Sequence, residues 1–296
     1  MQVGECRVRV AGFGEPLVRV MNEKPYRRGS AETMILVKDV YKSFGSNHVL
    51  RGLNLQVQYG ESMVVIGGSG TGKSVLIKCI IGLLYHDRGE IHVGGQEISH
   101  LKEEEWNELR KKFGMLFQRD ALFDSLPVWE NVGFALRRHT THSDDEIKAI
   151  AAEKLKLVGL ENVENLMPAE LSGGMRRRVS IARAIASEPS IMLYDSPTGG
   201  LDPVTAHTIN VLIAKLRDVQ SVTSLVVTHR LADAYALARF VYSPEKKDLV
   251  PASGNGGAGR HAPTNFLVLR EGKVYFLGTT EEIVTSPDPY VRKFLE

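Results

Sequence analysis

Residues 67–74 read GGSGTGKS, between the apolar stretch SMVVI and the run VLIKCIIGLL. The spacing fits G-x-x-x-x-G-K-[ST], a phosphate-binding loop joining a strand to a helix. Backbone N–H groups along Gly67, Gly68, Ser69, Gly70, Thr71 and Gly72 can close around phosphate oxygens. Lys73 then reaches the outer phosphates as a point charge, and Ser74 offers a hydroxyl to Mg²⁺. In IMLYDSPTGGLDP (191–203), a strand-like run ends on Asp195, an acid placed to hold the same cation. The next residue, Ser196, is a neutral hydroxyl. LSGGM (171–175) adds a third phosphate-directed element: Ser172, the N–H groups of Gly173 and Gly174, and the positive end of a helix form an anion site.

These groups need a frame. With 296 residues and 43% hydrophobic content the chain can bury a substantial core. Lysine and arginine (37) nearly balance aspartate and glutamate (35), so the net charge of +2 gives no nucleic-acid-binding field. Two cysteines, Cys6 and Cys79, are too few for a disulfide framework and fit a reducing compartment. No run approaches the roughly 18 apolar residues of a spanning helix, and the first residues lack a signal-peptide pattern. The expectation is a cytoplasmic chain.

Residues 1–33 show no sustained period and read as a loosely ordered extension; alternatively, Met34 begins the ordered domain and the leading segment is dispensable. From residue 34 to 296 the pattern is that of one domain. Short strands (MILVKDVYKSF, VLRGLNLQVQ, SMVVI, IMLYD, SLVVTH) are interleaved with helices at 75–84 and 204–216, and GEIHVGGQEI reads as a hairpin. Such alternation predicts an α/β fold with a mostly parallel sheet covered on both faces. Residues from about 120 to 180 contain an inserted, mainly helical subdomain, and 243–265, rich in glycine and proline, reads as a flexible surface loop. No internal repeat is visible.

The order of the loop, LSGGM and the strand-ending Asp195 resembles the P-loop NTPases of the ATP-binding-cassette (ABC) type. The resemblance implies a mostly parallel core sheet, an antiparallel β subdomain and the helical insertion. It also implies ATP and Mg²⁺ as ligands, and two copies of the chain closing on two nucleotides. Ser172, Gly173 and Gly174 would serve the ATP held on the facing copy, and Asp202 would lie in the loop crossing that interface. Gln118 matches the loop glutamine that contacts Mg²⁺ or water, and His229 the switch histidine at the γ-phosphate. The aromatic stacking on adenine would be Phe44, with Tyr41 as the alternative.

The family places glutamate after the metal-binding Asp, where it orients or deprotonates the attacking water; this chain has Ser196. A hydroxyl cannot take that proton at pH 7. Three readings stay open: slow hydrolysis supported by His229 and Gln118, a half-site paired with an intact partner ATPase, or another carboxylate or water arrangement filling the gap. Within the family, LFDSLPVWENVGFALRRHT and the methionine after LSGG resemble ATPases of MCE-linked lipid transporters. That resemblance implies an integral membrane permease as partner, an MCE-domain lipid-binding protein, and a peripheral position on the cytoplasmic face of the inner membrane, with no nucleic acid. The alternatives are a soluble ABC ATPase and an importer ATPase for another substrate.

Overall fold

The computed structural model describes residues 32–252 and 264–292. The chain opens with long antiparallel strands β1 (Thr33–Phe44) and β2 (Asn47–Gln58), then β3 (Ser62–Gly67) and helix α1 (Lys73–Ile80). β4 (Arg88–Val93), β5 (Gln96–Glu97), α2 (Glu103–Arg110) and β6 (Phe113–Leu116) lead to the inserted helices α3 (Val128–His139) and α4 (Asp144–Leu157). There follow α5 (Gly173–Ile185), β7 (Ile191–Asp195), α6 (Pro203–Gln220), β8 (Thr223–Thr228), α7 (Leu231–Arg239), β9 (Phe240–Ser243) and β10 (Asp248–Pro251). β11 (Thr264–Arg270), β12 (Lys273–Thr279), α8 (Thr280–Val284) and α9 (Pro289–Arg292) complete the described chain.

Strand order in the central sheet is β12-β11-β3-β8-β7-β6, parallel throughout except for β12, which runs antiparallel to β11. A second sheet, β2-β1-β4-β5, is antiparallel. The parallel strands read as unbroken apolar runs because both their faces are covered. Side chains alternate between two separate cores. Val64, Ile66, Met192, Tyr194, Val226 and Phe266 pack towards α3–α7, whereas Met63, Val65, Leu193, Val227 and Leu267 pack towards α1, α2 and the antiparallel sheet.

The inserted helices are locally encoded. Val128, Trp129, Val132 and Leu136 form the buried stripe of α3. Ser143 caps α4 reciprocally: its hydroxyl accepts the Glu146 N–H, and the Glu146 carboxylate accepts the Ser143 N–H at 2.7 Å. At the start of α3 the buried Asn131 side chain accepts from Phe123 N–H and donates to the carbonyls of Phe123 and Leu126, which ties down the preceding loop.

Three local expectations change. The helix expected over 75–84 stops at Ile80, where the Leu83 N–H turns back to the Lys78 carbonyl at 2.9 Å. The helix expected over 204–216 extends to Gln220 and ends at Ser221, in left-handed conformation. Within the segment expected to be a loop, Asp248–Pro251 pairs with Phe240–Ser243 as a hairpin, with Lys247 at φ 51° in its turn. Tyr242 and Leu249 lie against the helical core, and Asp218 of α6 accepts the Tyr242 N–H, so alternating apolar residues outweigh the polar composition. The remainder of that segment, 253–263, and the N-terminal extension through residue 31 lie outside the described residues.

Candidate active site

In a parallel sheet every strand points its carboxyl end the same way, and ligands collect at that edge. Here the edge carries the glycine loop after β3, Gln118 beyond β6, Asp195 at the end of β7 and His229 just past β8. The positioning begins in the sequence: β3, β7 and β8 are fully buried strands; β3 runs into the glycine loop, β7 ends on Asp195, and His229 follows β8.

Gly72 caps α1 at φ 102°, a conformation closed to most side chains, and a Cβ there would lie 2.7 Å from Leu50 Cδ2. The β1–β2 ribbon therefore sits directly against the loop. At the turn of that ribbon Phe44 is 48% exposed, with the Lys42 ammonium 5.5 Å from the centre of its ring. Tyr41 instead stacks under Arg88 at 4.7 Å and fills the space beside Gly52, so of the two aromatics Phe44 is the one presented to solvent.

Lys73 folds back over its own loop, donating to the carbonyls of Gly67 (2.8 Å) and Gly68 (2.7 Å). Burial pulls its pKa down, and the nearby Asp195 carboxylate opposes that. Ser74 Oγ donates to Asp195 Oδ1 at 3.0 Å, which brings the hydroxyl and the acid predicted to share a cation into direct contact. Among the described residues no three His, Cys, Asp or Glu side chains converge as a ready-made metal cage. The donor set fits Mg²⁺, which takes few protein oxygens and completes its shell with phosphates and water.

Ser196 lies buried at φ 51°, its N–H bonded to Val227 O at 2.7 Å and its carbonyl to Gly199 N–H at 3.0 Å. Its hydroxyl leans towards Asp195 Oδ1 at 3.5 Å. A second buried carboxylate, Asp233, is bonded to this loop. It accepts the hydroxyls of Thr198 and Thr228 and the amide of Asn210, so it is fully engaged in structure. Arg230, after His229, donates to the Thr198 carbonyl at 2.8 Å and fixes the same loop. His229 and Gln118 are exposed.

Ser172 and Asp202 are engaged as caps of their own helices. Ser172 caps α5, accepting from Met175 N–H at 3.2 Å. Asp202 caps α6, accepting from the Thr205 hydroxyl and from the N–H groups of Thr205 and Val204, which together hold its carboxyl below the usual range. The two helix ends meet: a Cβ on Gly174 would lie 2.7 Å from Thr205 Cγ2. The first turn of α5 and the Asp202 turn thus form one ridge.

One residue sequence reasoning missed is Arg177. Its buried guanidinium donates to the carbonyls of Phe117 (2.7 Å) and Gln118 (2.9 Å). The available signal was the spacing of polar side chains in RRRVSIARA: Arg177, Ser180 and Arg183 recur at three-residue intervals, so one helical face carries polar groups beside the apolar stripe.

The family model described as "ABC transporter" matches residues 50–199. A probable ribonucleotide transport ATP-binding protein, mkl, of Mycobacterium leprae is 39% identical over 88% of this chain and 68% of its own length. The intermembrane phospholipid transport system ATP-binding protein MlaF of Haemophilus influenzae is 36% identical over 90% of this chain and 91% of its own. Among solved structures, the dimeric post-hydrolysis state of the ATP-binding cassette MJ0796, bound to ADP and Pi, superposes with a TM-score of 0.69 at 30% identity, covering 83% of this chain and 99% of that one. With the cup at the carboxyl edge, the LSGGM helix end and this kinship in agreement, the chain belongs to the ABC transporter family as an ATP-binding ATPase subunit.

Proposed function

We propose that the chain powers phospholipid movement as the ATPase of an MCE-type transporter, two copies closing on two ATP molecules beneath an integral membrane permease at the cytoplasmic face of the inner membrane. The observation that carries the catalytic part is the Ser74–Asp195 contact under a loop whose lysine is stored on its own carbonyls. Phosphate oxygens replace those carbonyls as partners of Lys73, at little cost in lost hydrogen bonds. The amides from Gly68 to Ser74 hold the phosphates, and Phe44 offers a face to the adenine. Ser74, Asp195 and Gln118 would hold Mg²⁺, which when bound neutralises charge on the phosphate oxygens. His229 faces the γ-phosphate, while Ser172, Gly173, Gly174 and Asp202 act on the nucleotide of the other copy.

Ser196 can hold the attacking water by a hydrogen bond but cannot take its proton near neutrality, so turnover is slow. Of the three sequence readings this one has most support, because Asp233, the carboxylate bound to the same loop, has its oxygens occupied.

The helical insertion offers the permease a seat. A groove of about 400 Å³ is lined by Leu126, Trp129, Gly133, Phe134, Arg137 and Arg138. Phe123 and Phe134, both exposed, stack at 4.5 Å beside it. The lipid cargo is supported by similarity to the phospholipid-transport relative across nine-tenths of both chains. Ribonucleotide is the second reading, from the name of the mycobacterial relative.

The test is reconstitution with the co-purified permease in vesicles. ATP should drive transfer of a fluorescent phospholipid and not of labelled ribonucleotide, and Lys73→Ala should abolish both transfer and nucleotide binding. Ribonucleotide transfer alone would install the second reading. Unchanged nucleotide affinity in Lys73→Ala would move the ATP site elsewhere.

A further inference from the structure

Helix α5 begins with the anion-directed residues of one site and, little more than a turn later, grips the loop that carries Gln118 of another. The grip is extensive. Arg177 Nη1 donates to Phe117 O at 2.7 Å and lies 3.3 Å from Asp120 Oδ1. Its Nη2 donates to Gln118 O at 2.9 Å and reaches Gly199 O at 3.5 Å. Ser180 Oγ donates to Asp120 O, and Arg183 to the carbonyls of Ala121 and Asp120. Ala121 is held at φ 53° in this clamp. The Arg177 side chain is 3% exposed, so these bonds are made in a dry setting where losing one leaves a carbonyl without its partner.

Arg177 differs from its neighbours in what it joins. Arg183 holds Asp120 and Ala121. The Arg177 fork connects the Gln118 carbonyl to the loop that follows Ser196, and it does so from the helix that opens with Ser172, Gly173 and Gly174. A planar guanidinium presents donors in several directions at once, which a lysine ammonium on its single stem cannot match.

We propose that Arg177 is a positioning residue that couples Gln118 and the post-Ser196 loop of one nucleotide site to the Ser172 end of the same chain, and through it to the site on the facing copy. This rests on the roles proposed above for Gln118 and Ser172. A displacement of the 117–121 segment on nucleotide binding cannot occur without moving α5, because its carbonyls are bonded to that helix. Conversely, docking of the α5 end on a phosphate sets where the Gln118 side chain stands.

The experiment is a double-mutant cycle in single-turnover phosphate release by the full chain with Mg²⁺ and ATP, using Arg177→Met, Gln118→Ala and the pair. Arg183→Met and Arg177→Lys serve as controls, with nucleotide affinity and Tm measured for every variant. Arg177→Met is expected to lower the rate about tenfold or more with ATP affinity within about threefold, and the pair to lose much less than the product of the single losses. Arg183→Met should lose comparable Tm while keeping its rate, and Arg177→Lys should recover part of the loss. An additive pair, or equal rate losses for the Arg177 and Arg183 variants, overturns the coupling role. A Gln118→Ala variant with unchanged rate sinks the Gln118 assignment, and with it the coupling, whatever Arg177→Met does; that outcome is separable from an active Gln118 with an additive pair.

Discussion

At the scale of single residues the decisive position is Ser196. Its left-handed backbone is bonded on both sides, to Val227 and Gly199, so the local path is set by the loop and not by the side chain. A glutamate placed there keeps the same backbone and meets Asp195 next door, a like charge that pushes the new carboxyl up towards neutrality, where a general base works best. Ser196→Glu should therefore raise kcat by at least about tenfold with ATP affinity nearly unchanged, since general bases contribute roughly 10²- to 10⁴-fold. Ser196→Gln, equal in size and unable to accept a proton, should add nothing. Steady-state phosphate release decides it: a parent enzyme already near ~1 s⁻¹, with no gain from glutamate, means that another group activates the water.

Among the elements, the α6 cap tests the electrostatics of the ridge. Three donors and a helix N-terminus hold the Asp202 carboxyl low, so the folded state binds that proton less readily than the unfolded chain does. The stabilisation is present above the ordinary aspartate pKa and is lost as pH falls through the folded value. An Asp202→Asn variant keeps a good cap without the charge, so the Tm advantage of the parent should shrink as pH drops below about 4, the ordinary aspartate pKa. An advantage that grew on acidification would contradict this.

The elements also show what was legible in the sequence. The glycine loop, Asp195 and His229 could be located because each follows a buried strand whose apolar run is unmistakable. α2 and β10 were not legible. One buries only Trp106 and Leu109 within a charged stretch, and the other is held by pairing with β9 and by Asp248 bonded to His207 of α6, distant in sequence. Arg177 escaped because its partners are backbone carbonyls, which leave no mark on residue type.

For the whole molecule, the ridge formed by the α5 and α6 ends predicts that ATP joins two copies. Ser172→Arg should leave nucleotide binding by the monomer intact while blocking ATP-driven dimerisation in sedimentation, because a bulky cation at that cap occupies the space meant for the facing phosphates. Equal dimerisation of mutant and parent would remove the ridge from the interface. The division of the interior into two cores reaches further, into how the chain can be watched. Met192 and Leu193 are joined by a single peptide bond, yet the first packs towards the inserted helices and the second towards α1 and the antiparallel sheet. Methyl labels on this one dipeptide would give two NMR probes separated by the thickness of the sheet. On adding nucleotide, a shift confined to Leu193 would mark a response that stops on the α1 side of the sheet, and a matching shift at Met192 would record the moment it crosses towards the inserted helices.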